Sequence, residues 1–319
     1  SESMSQQERW LNTEKRTVFH PPPNAKRDNA MRLIIISGLS GSGKSVALNL
    51  LEDLGFYCID NIPVDLLFTF VKDILLDQGA GYGNVAVGLD ARNRGDNIKR
   101  LPMLIHDLRR EENLSCDLIF LQAKNETLLS RFNETRRKHP LSNDGLSLPE
   151  AIDKERELLG PMINSADLLV DTTSKTIYDL RELIQNRVTE RTEGKLSILL
   201  ESFGYKHGLP SDADFVFDVR CLPNPYWEPK LRNLNGTEKP VQKFLESQAQ
   251  VHEMVDDIVL FLEHWIPRYQ TFQRSYLTVA VGCTGGQHRS VFIAERVASR
   301  LEKNHGPIKV YHHEIPRPA

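Results

Sequence analysis

Residues 31–45 decide the fold, and they read Met31-Arg32-Leu33-Ile34-Ile35-Ile36-Ser37-Gly38-Leu39-Ser40-Gly41-Ser42-Gly43-Lys44-Ser45. The apolar run at 33–36 is continuous, which is typical of a strand buried on both faces of a parallel sheet. A glycine-rich turn follows at once, and the apolar residues after it recur at helical spacing. This order of strand, glycine turn and helix predicts the opening βαβ unit of an α/β domain.

The glycine turn has the complete Walker A spacing, in which a glycine and four further residues precede Gly-Lys-Ser. Such a turn directs backbone N–H groups inward as an anion site at a helix N-terminus. We expect it to bind the phosphates of ATP or GTP, with Lys44 on the β- and γ-phosphates and Ser45 on Mg²⁺. The predicted nucleotide-binding residues are Gly38, Leu39, Ser40, Gly41, Ser42, Gly43, Lys44 and Ser45.

Strands and helices continue to alternate as far as residue 188, with predicted helices at 46–54, 64–76, 98–110, 126–138, 148–163 and 177–188. The alternation predicts a kinase-like P-loop NTPase domain at 31–190, a parallel sheet with helices on both faces and its ligand at the carboxyl ends of the strands. A polar stretch at 189–194 precedes a second predicted α/β domain at 195–319. Residues 1–30 are polar and lack an apolar period, so we expect a flexible extension.

Composition places the chain among ordinary soluble proteins, with 40% hydrophobic and 26% charged residues in 319. A formal net charge of −3 does not by itself indicate a nucleic-acid-binding class. The four cysteines are scattered, as expected of a reduced protein without a zinc site. We find no apolar run long enough to span a membrane, and we expect a cytoplasmic protein.

Two carboxylates follow predicted strands of the first domain. Asp60 ends the second strand and Asp90 ends the third, whereas the fourth strand ends in the uncharged Gln122. Either carboxylate could hold Mg²⁺ or simply cap a helix, and we favour Asp90 as the metal and catalytic carboxylate beside Lys44. A basic segment at 131–139 lies where small P-loop kinases carry a lid, and it could equally be a solvated helix face.

A second glycine-rich turn, at 282–290, also joins an apolar strand to a helix. It places Cys283 six residues before Arg289, the spacing with which cysteine phosphatases enclose a phosphate. Three interpretations stay open: a phosphatase loop, a non-catalytic phosphate-sensing loop, and a tight turn with a structural cysteine. His207 follows a neighbouring strand and faces the same edge of the predicted sheet.

Several long motifs in the same order resemble the RapZ/YvcJ family of P-loop nucleotide-binding proteins, over residues 31–311. Beside the Walker A loop they are Phe56-Tyr57-Cys58-Ile59-Asp60-Asn61, Asp90-Ala91-Arg92-Asn93, Glu134-Thr135-Arg136-Arg137-Lys138-His139-Pro140-Leu141, Glu201-Ser202-Phe203-Gly204, Phe217-Asp218-Val219-Arg220-Cys221-Leu222-Pro223-Asn224-Pro225 and Gly282-Cys283-Thr284-Gly285-Gly286.

The resemblance implies ATP and GTP binding with weak hydrolysis, the GTP-associated segment being Asp90, Ala91, Arg92 and Asn93. It implies that the second domain senses glucosamine-6-phosphate through His207, Thr284, Gly285 and Arg289, with Cys283 and Gly286 in the same loop. It also implies an RNase adapter that presents a small RNA to an endoribonuclease and so adjusts amino-sugar synthesis. We expect a homo-oligomer.

The chain departs from the enteric members of that family at its C-terminal end. Those members carry an Arg/Lys-rich tail for RNA, whereas residues 309–319 here contain few cations. Because phosphate contacts dominate RNA affinity, we expect weak RNA binding through Lys303, Lys309, His312 and His313. A small-molecule kinase is the alternative function, and a cysteine-dependent phosphatase at Cys283 is a third.

Overall fold

A computed structural model describes residues 31–76, 83–90, 95–111, 113–142, 145–189, 196–271 and 274–315. Within these ranges the chain forms two parallel sheets, each covered by helices. The predicted extension at 1–30 lies outside the described residues, as does the polar stretch predicted at 189–194 except for Thr189, which ends a helix. The predicted domain limits remain predictions.

The first sheet has five strands in the order β2-β3-β1-β4-β5. Their bounds are β1 Met31–Gly38, β2 Tyr57–Ile59, β3 Asn84–Gly88, β4 Leu114–Gln122 and β5 Leu168–Asp171. β1 is central because its apolar run can be buried on both sides. Leu33 and Ile35 join the core on one face of the sheet, and Ile34 and Ile36 join the core on the other.

Six helices cover this sheet: α1 Lys44–Asp53, α2 Val64–Leu76, α3 Gly95–Leu108, α4 Asn125–Thr135, α5 Leu148–Ser165 and α6 Ile177–Thr189. The apolar faces of α1 and α6 pack in one core, and those of α2 to α5 pack in the other. α5 begins with a capping box in which Ser147 and Glu150 satisfy each other's backbone N–H groups. The phosphate loop therefore lies at the carboxyl edge of a sheet that is buried on both faces.

The second sheet has four parallel strands in the order β7-β8-β6-β9. The strands are β6 Ser197–Gly204, β7 Phe215–Asp218, β8 Tyr276–Cys283 and β9 Lys309–His312, and the helices are α7 Lys239–Glu246, α8 Ala249–Thr271 and α9 Arg289–His305. The three helices share one core with one face of this sheet.

Helix α6 of the first domain packs against part of the other face of the second sheet. Tyr276 belongs to the same apolar core as α1 and α6. Arg187 of α6 is buried and donates to the Ser197 carbonyl at 2.8 Å and to Thr278 Oγ1 at 2.7 Å. Burial lowers the pKa of Arg187 to about 10, so it remains a cation at neutral pH. α6 thus packs against both sheets.

The predicted fold class is confirmed, and two elements were missed. β7 has only four residues, and α7 lies just after a loop rich in proline and asparagine. The helix predicted over 126–138 ends at Thr135, because Arg136 adopts φ of 51° and turns the chain out of the helix.

Candidate functional site

The phosphate loop lies between β1 and α1, and its glycines are required by geometry. Gly38 has φ of 139° and Gly43 has φ of 107°, a backbone region that other residues rarely adopt. A Cβ atom at Gly38 would lie 2.0 Å from the carbonyl oxygen of Leu121, so glycine alone permits this approach of β1 to β4. The first turn of α1 has no side-chain cap, which leaves its N–H groups for a phosphate.

The Lys44 ammonium folds back across the loop. Its Nζ atom donates to the Gly38 carbonyl oxygen at 2.7 Å. A lysine in this place carries its charge on a flexible stem, so it can turn to a β- or γ-phosphate without movement of the backbone. Ser45, the predicted magnesium ligand, is exposed in the first turn of α1.

A buried carboxylate that the sequence analysis missed contacts this loop. Glu155 of α5 is fully buried, with Oε2 accepting from the Ser40 N–H at 2.8 Å and Oε1 accepting from Ser40 Oγ at 2.7 Å. His139 Nε2 lies 3.1 Å from Oε2. Burial raises the pKa of Glu155, but the bond to His139, the charge of Lys44 and the bonds from Ser40 outweigh burial and hold the pKa below its ordinary value. The carboxylate is therefore ionised at neutral pH.

Arg131 and Thr172 brace the other side of the loop. Arg131 donates to the Gly41 carbonyl at 3.0 Å and to the Thr172 carbonyl at 2.7 Å. Thr172 is buried after β5, and its hydroxyl lies 3.0 Å from the carbonyl oxygen of Ser42. Of the predicted basic lid, Arg131 thus contacts the loop, while Arg136, Arg137 and Lys138 are exposed and His139 is buried.

Asp60 and Asp90 both lie at the carboxyl edge of the first sheet. Asp90 is nearly buried just beyond β3, which pairs with β1. Asp60 follows β2, and its Oδ1 would lie 2.6 Å from a Cβ atom at Gly88. The structure therefore brings the two carboxylates to neighbouring strand ends. Ala91, Arg92 and Asn93 of the predicted GTP segment lie outside the described residues.

The donors at this edge fit magnesium. Mg²⁺ prefers oxygen ligands and is usually held by one or two protein groups together with phosphates and water. Ser45 and Asp90 are such oxygen donors. Within the described ranges, no three or more His, Cys, Asp or Glu side chains form a group that could hold a metal ion.

The second glycine-rich turn joins β8 to α9 and folds around Cys283. The Cys283 sulfur is buried, accepts from the Gly286 N–H at 3.2 Å and lies 3.1 Å from Ser290 Oγ. Gly286 has φ of 73°. The N-cap residue of α9, His288, makes no side-chain cap to the first helical turn.

Arg289 and Thr284 form the polar side of this turn. Arg289 is buried, and its Nη1 donates to the carbonyl oxygens of Arg220 at 2.7 Å and Leu222 at 3.0 Å. Its Nη2 lies 3.3 Å from Thr284 Oγ1, and the Thr284 side chain is exposed. The arginine thus fixes the turn to the loop after β7 and still presents a guanidinium edge beside an exposed hydroxyl.

The segment that carries His207 lies against the same turn. The N–H of Lys206 donates to the Thr284 carbonyl at 3.3 Å. Glu314 Oε1 accepts from the Gly204 N–H at 3.1 Å, and Oε2 would lie 2.1 Å from a Cβ atom at Gly286. The structure therefore gathers Thr284, Gly285, Gly286 and Arg289 in one turn and places the segment that carries His207 beside it. It adds the Glu314 carboxylate, which the sequence analysis missed.

Two family profiles together cover the residues that the structure describes. The profile described as the RapZ-like N-terminal domain matches residues 31–192, and that of the RapZ C-terminal domain matches residues 196–316. The chain belongs to the RapZ family.

Full-length RapZ-family relatives share about half of their residues with this chain. A nucleotide-binding protein of Alkalilimnicola ehrlichii is 50% identical over 288 residues, which are 90% of this chain and 99% of the relative. A nucleotide-binding protein of Pseudomonas fluorescens is 50% identical over 285 residues, 89% of this chain and 100% of the relative. Both names state nucleotide binding, and the Walker A loop described above has the geometry for a nucleotide.

Solved kinases align with about half of the RapZ-family chain. Shikimate kinase of Bacteroides thetaiotaomicron has a TM-score of 0.31 and 17% identity, covering 49% of this chain and 96% of its own. A gluconokinase of Sinorhizobium meliloti has a TM-score of 0.30 and 17% identity, covering 50% and 91%. TM-scores this low do not by themselves establish a shared fold. The P-loop fold rests on the strand order and the loop geometry described above.

A cavity of about 320 Å³ lies between the carboxyl edges of the two sheets in this RapZ-family protein. Its charged lining comes from both domains and comprises Lys124, Asp171, Lys175, His207, Asp212, His313 and Glu314. Burial and the charge of Glu201 raise the pKa of Asp212 to about 6, although Lys175 opposes the shift.

Hydrogen bonds cross beside this cavity from one domain to the other. The Asp171 N–H donates to Asp212 Oδ2 at 3.0 Å, and Ser211 Oγ donates to Asp171 Oδ2. Gln122 Nε2 also donates to Ser211 Oγ at 3.1 Å. Thr172, whose hydroxyl contacts the phosphate loop, follows Asp171 directly in the chain. The phosphate loop is therefore connected through Thr172 and Asp171 to Ser211 and Asp212, in the segment after His207.

The residues predicted to contact RNA lie near the end of the second domain. Lys303 is exposed in the last turn of α9, and Lys309 begins β9. His312 lies 3.1 Å from a Glu295 oxygen, and His313 lies 2.9 Å from a Glu201 oxygen. Both histidines therefore contact carboxylates of their own domain. Over the described ranges, no helix has the length and apolarity needed to cross a membrane.

Proposed function

We propose that this protein is a regulatory nucleotide-binding protein. Its first domain binds ATP or GTP with Mg²⁺ and hydrolyses the nucleotide weakly, Lys44 stabilising the phosphates and Asp90 holding the metal through water. Its second domain senses a phosphorylated amino sugar, glucosamine-6-phosphate. The proposed ligand residues are His207, Thr284, Gly285, Gly286 and Arg289, with Cys283 shaping the loop.

The second anion loop is the observation that carries this proposal. The exposed Thr284 lies against the Arg289 guanidinium, and α9, whose N-terminus has no side-chain cap, begins at the same place. Arginine and backbone N–H groups at a helix N-terminus are the donors that proteins use for phosphate. A domain with such a loop and no nucleotide motif is suited to a small phosphorylated metabolite.

The environment of Cys283 favours sensing over phosphatase chemistry. A nucleophilic thiolate must reach the phosphorus atom, and reactive cysteines are partly exposed. The Cys283 side chain is only 3% exposed and accepts a backbone N–H bond within its own loop. The sulfur therefore supports the fold of the turn.

The hydrogen bonds between the domains support joint control by the two ligands. Thr172 contacts the phosphate loop, and the adjacent Asp171 contacts Ser211 and Asp212 of the second domain. A ligand that moves either end of this chain of bonds changes the energy of the other end, and such coupling is reciprocal. We propose that nucleotide and sugar phosphate together set the affinity for a macromolecular partner.

The proposed partners are a small RNA and an endoribonuclease, with the protein as an RNase adapter in a homo-oligomer. Lys303 and Lys309 are the proposed phosphate contacts. Removing either lysine should reduce the slope of log affinity against log salt by about one unit. A gel-shift titration of Lys303→Ala at two salt concentrations tests this, and an unchanged slope would exclude that contact.

Calorimetric titration of glucosamine-6-phosphate tests the sensing function. The variants are Arg289→Lys, which keeps the charge but loses the planar fork, and Thr284→Ala. Arg300→Ala is the matched control, because Arg300 lies in the same helix and pairs with the exposed Asp256. We expect both site variants to lose sugar-phosphate binding while ATP binding persists. Thr284→Ala should also keep the wild-type melting temperature, because Thr284 is exposed, whereas Arg289→Lys loses bonds to two carbonyl groups and should melt at a lower temperature.

Wild-type protein that binds ATP but ignores the sugar phosphate would refute the sensing function. The small-molecule kinase would then be the hypothesis to pursue, by screening hydroxylated metabolites for stoichiometric ADP formation.

A further inference from the structure

The position of Glu155 is electrostatically unfavourable for a nucleotide site. The phosphate loop is built to hold several negative charges, and a like charge a few ångströms away opposes their binding. Glu155 is nevertheless ionised, fully buried and bonded to the loop at Ser40. A carboxylate retained there must contribute through geometry, since its charge alone weakens anion binding.

The carboxylate fixes the start of the loop. Two bonds at 2.8 and 2.7 Å hold both the backbone N–H and the hydroxyl of Ser40, two residues after Gly38. Hydrogen bonds to a charged group are worth more than neutral ones, and these are shielded from water. Ser40 is thereby prevented from turning, and the loop between Gly41 and Ser45 keeps its shape.

The same carboxylate anchors the basic lid segment through His139. The His139 ring is buried, and its Nδ1 accepts from the Leu141 N–H at 3.1 Å, so the ring hydrogen lies on Nε2 and points to Glu155. Phe132 of α4 packs beside this ring at 5.2 Å between centroids.

Three exposed cations, Arg136, Arg137 and Lys138, lie between the end of α4 and this anchor. α4 also contacts the phosphate loop, since a Cβ atom at Gly41 would lie 3.4 Å from the Phe132 ring. The cations are therefore tethered at both ends next to the phosphate loop.

We propose that Glu155 is a positioning residue of the nucleotide site, which sets the phosphate loop at Ser40 and, through His139, docks the basic segment 136–138 beside the bound phosphates. This inference rests on the proposed nucleotide function of the first domain. It concerns how the loop and the lid are held together, and it assigns no chemical step to the carboxylate.

The sign of the effect of Glu155→Gln on ATP affinity distinguishes positioning from mere proximity. If Glu155 were only a nearby charge, its removal would tighten ATP binding. A positioning residue predicts weaker binding, because glutamine can keep one acceptor but sets an N–H₂ group against the Ser40 or His139 donors. We expect about a tenfold loss of ATP affinity, the size of one charge-assisted hydrogen bond.

The measurement is titration of Mg·ATP into the full chain, with melting temperature as the check of folding. Glu157→Gln is the matched control, because Glu157 is exposed in the same helix and the charge change is identical. A loss of threefold or more in Glu155→Gln, with Glu157→Gln unchanged, supports the inference, and any smaller loss or a gain overturns it. A wild type that fails to bind ATP would instead refute the nucleotide function.

Two substitutions at His139 provide an independent test in case Glu155→Gln does not fold. His139→Gln keeps a donor for Glu155, and His139→Ala removes it. We expect affinity to fall in the alanine variant and to be restored, within threefold of the wild type, in the glutamine variant. Equal binding by the two variants would overturn the inference, because a purely structural loss of the ring would affect both alike.

Discussion

The carboxylate of Asp212 lies in the cavity between the domains, with Glu201 and Asp171 as neighbouring acids and Lys175 as the neighbouring cation. Burial and Glu201 raise its pKa from 3.8 to about 6. Asp212→Asn removes the charge but keeps an oxygen that can accept the Asp171 N–H bond. We expect the variant to be more stable than the wild type at pH 7 to 8.

The sign and size of this effect follow from proton linkage. The folded protein binds the Asp212 proton more tightly than the unfolded chain does, so this proton stabilises the fold below pH 4 and the stabilisation is lost as pH rises through 6. A shift from 3.8 to about 6 corresponds to about 3 kcal/mol. Asp212 is only partly buried, so solvent screening reduces the expected gain to about 1–2 kcal/mol at neutral pH.

Urea unfolding of both proteins at several pH values between 4 and 8 measures the effect. The variant's advantage in unfolding free energy should grow from pH 4 to pH 7 and then level off. Asp257→Asn, an exposed change in α8, should show no such trend. A difference that stays constant with pH, or that favours the wild type at pH 7, would refute the assignment of a raised pKa to Asp212.

Three further substitutions test other contacts. Arg187→Met leaves the Ser197 carbonyl without its buried donor, so urea unfolding should show a loss of about 3–5 kcal/mol, and an unchanged midpoint would contradict the interface. Gly38→Ala would place a methyl group against Leu121, and we expect no measurable ATP binding by calorimetry; wild-type affinity would disprove the close approach. Thr172→Val keeps the shape of a buried residue but removes its hydroxyl, and ATP affinity should fall by roughly fivefold to tenfold. A normal affinity in that last variant would show that the hydroxyl does not brace the loop.

Local patterns explain which parts of the fold the sequence predicts. The apolar run at 33–36 and the Walker A spacing depend only on neighbours in the chain, and α2 begins and ends at the predicted residues. β7 was missed because four residues show too little alternation, and its pairing partner Val279–Gly282 is more than sixty residues away.

The buried carboxylates depend on contacts between distant residues. Glu155 stands in a charged stretch and reads as a solvated helix residue, yet Ser40 lies 115 residues earlier. One signal was available: Glu155 falls on the apolar stripe of α5, whose other buried members are Ala151, Ile152, Leu159 and Met162. Asp212 offers no such signal, because it lies in a loop and its hydrogen-bond donor, the Asp171 N–H, comes from the other domain.

The position of α6 between the two sheets bears on the order in which the chain is made and folded. The ribosome completes the first sheet and α6 before it synthesises β6, so one face of the second sheet meets a finished surface as it emerges. Tyr276 and the partners of Arg187 need that surface in order to be buried. A fragment beginning at residue 196 would leave this face uncovered and prone to association, so dissection of the protein into halves should retain α6 with the second half.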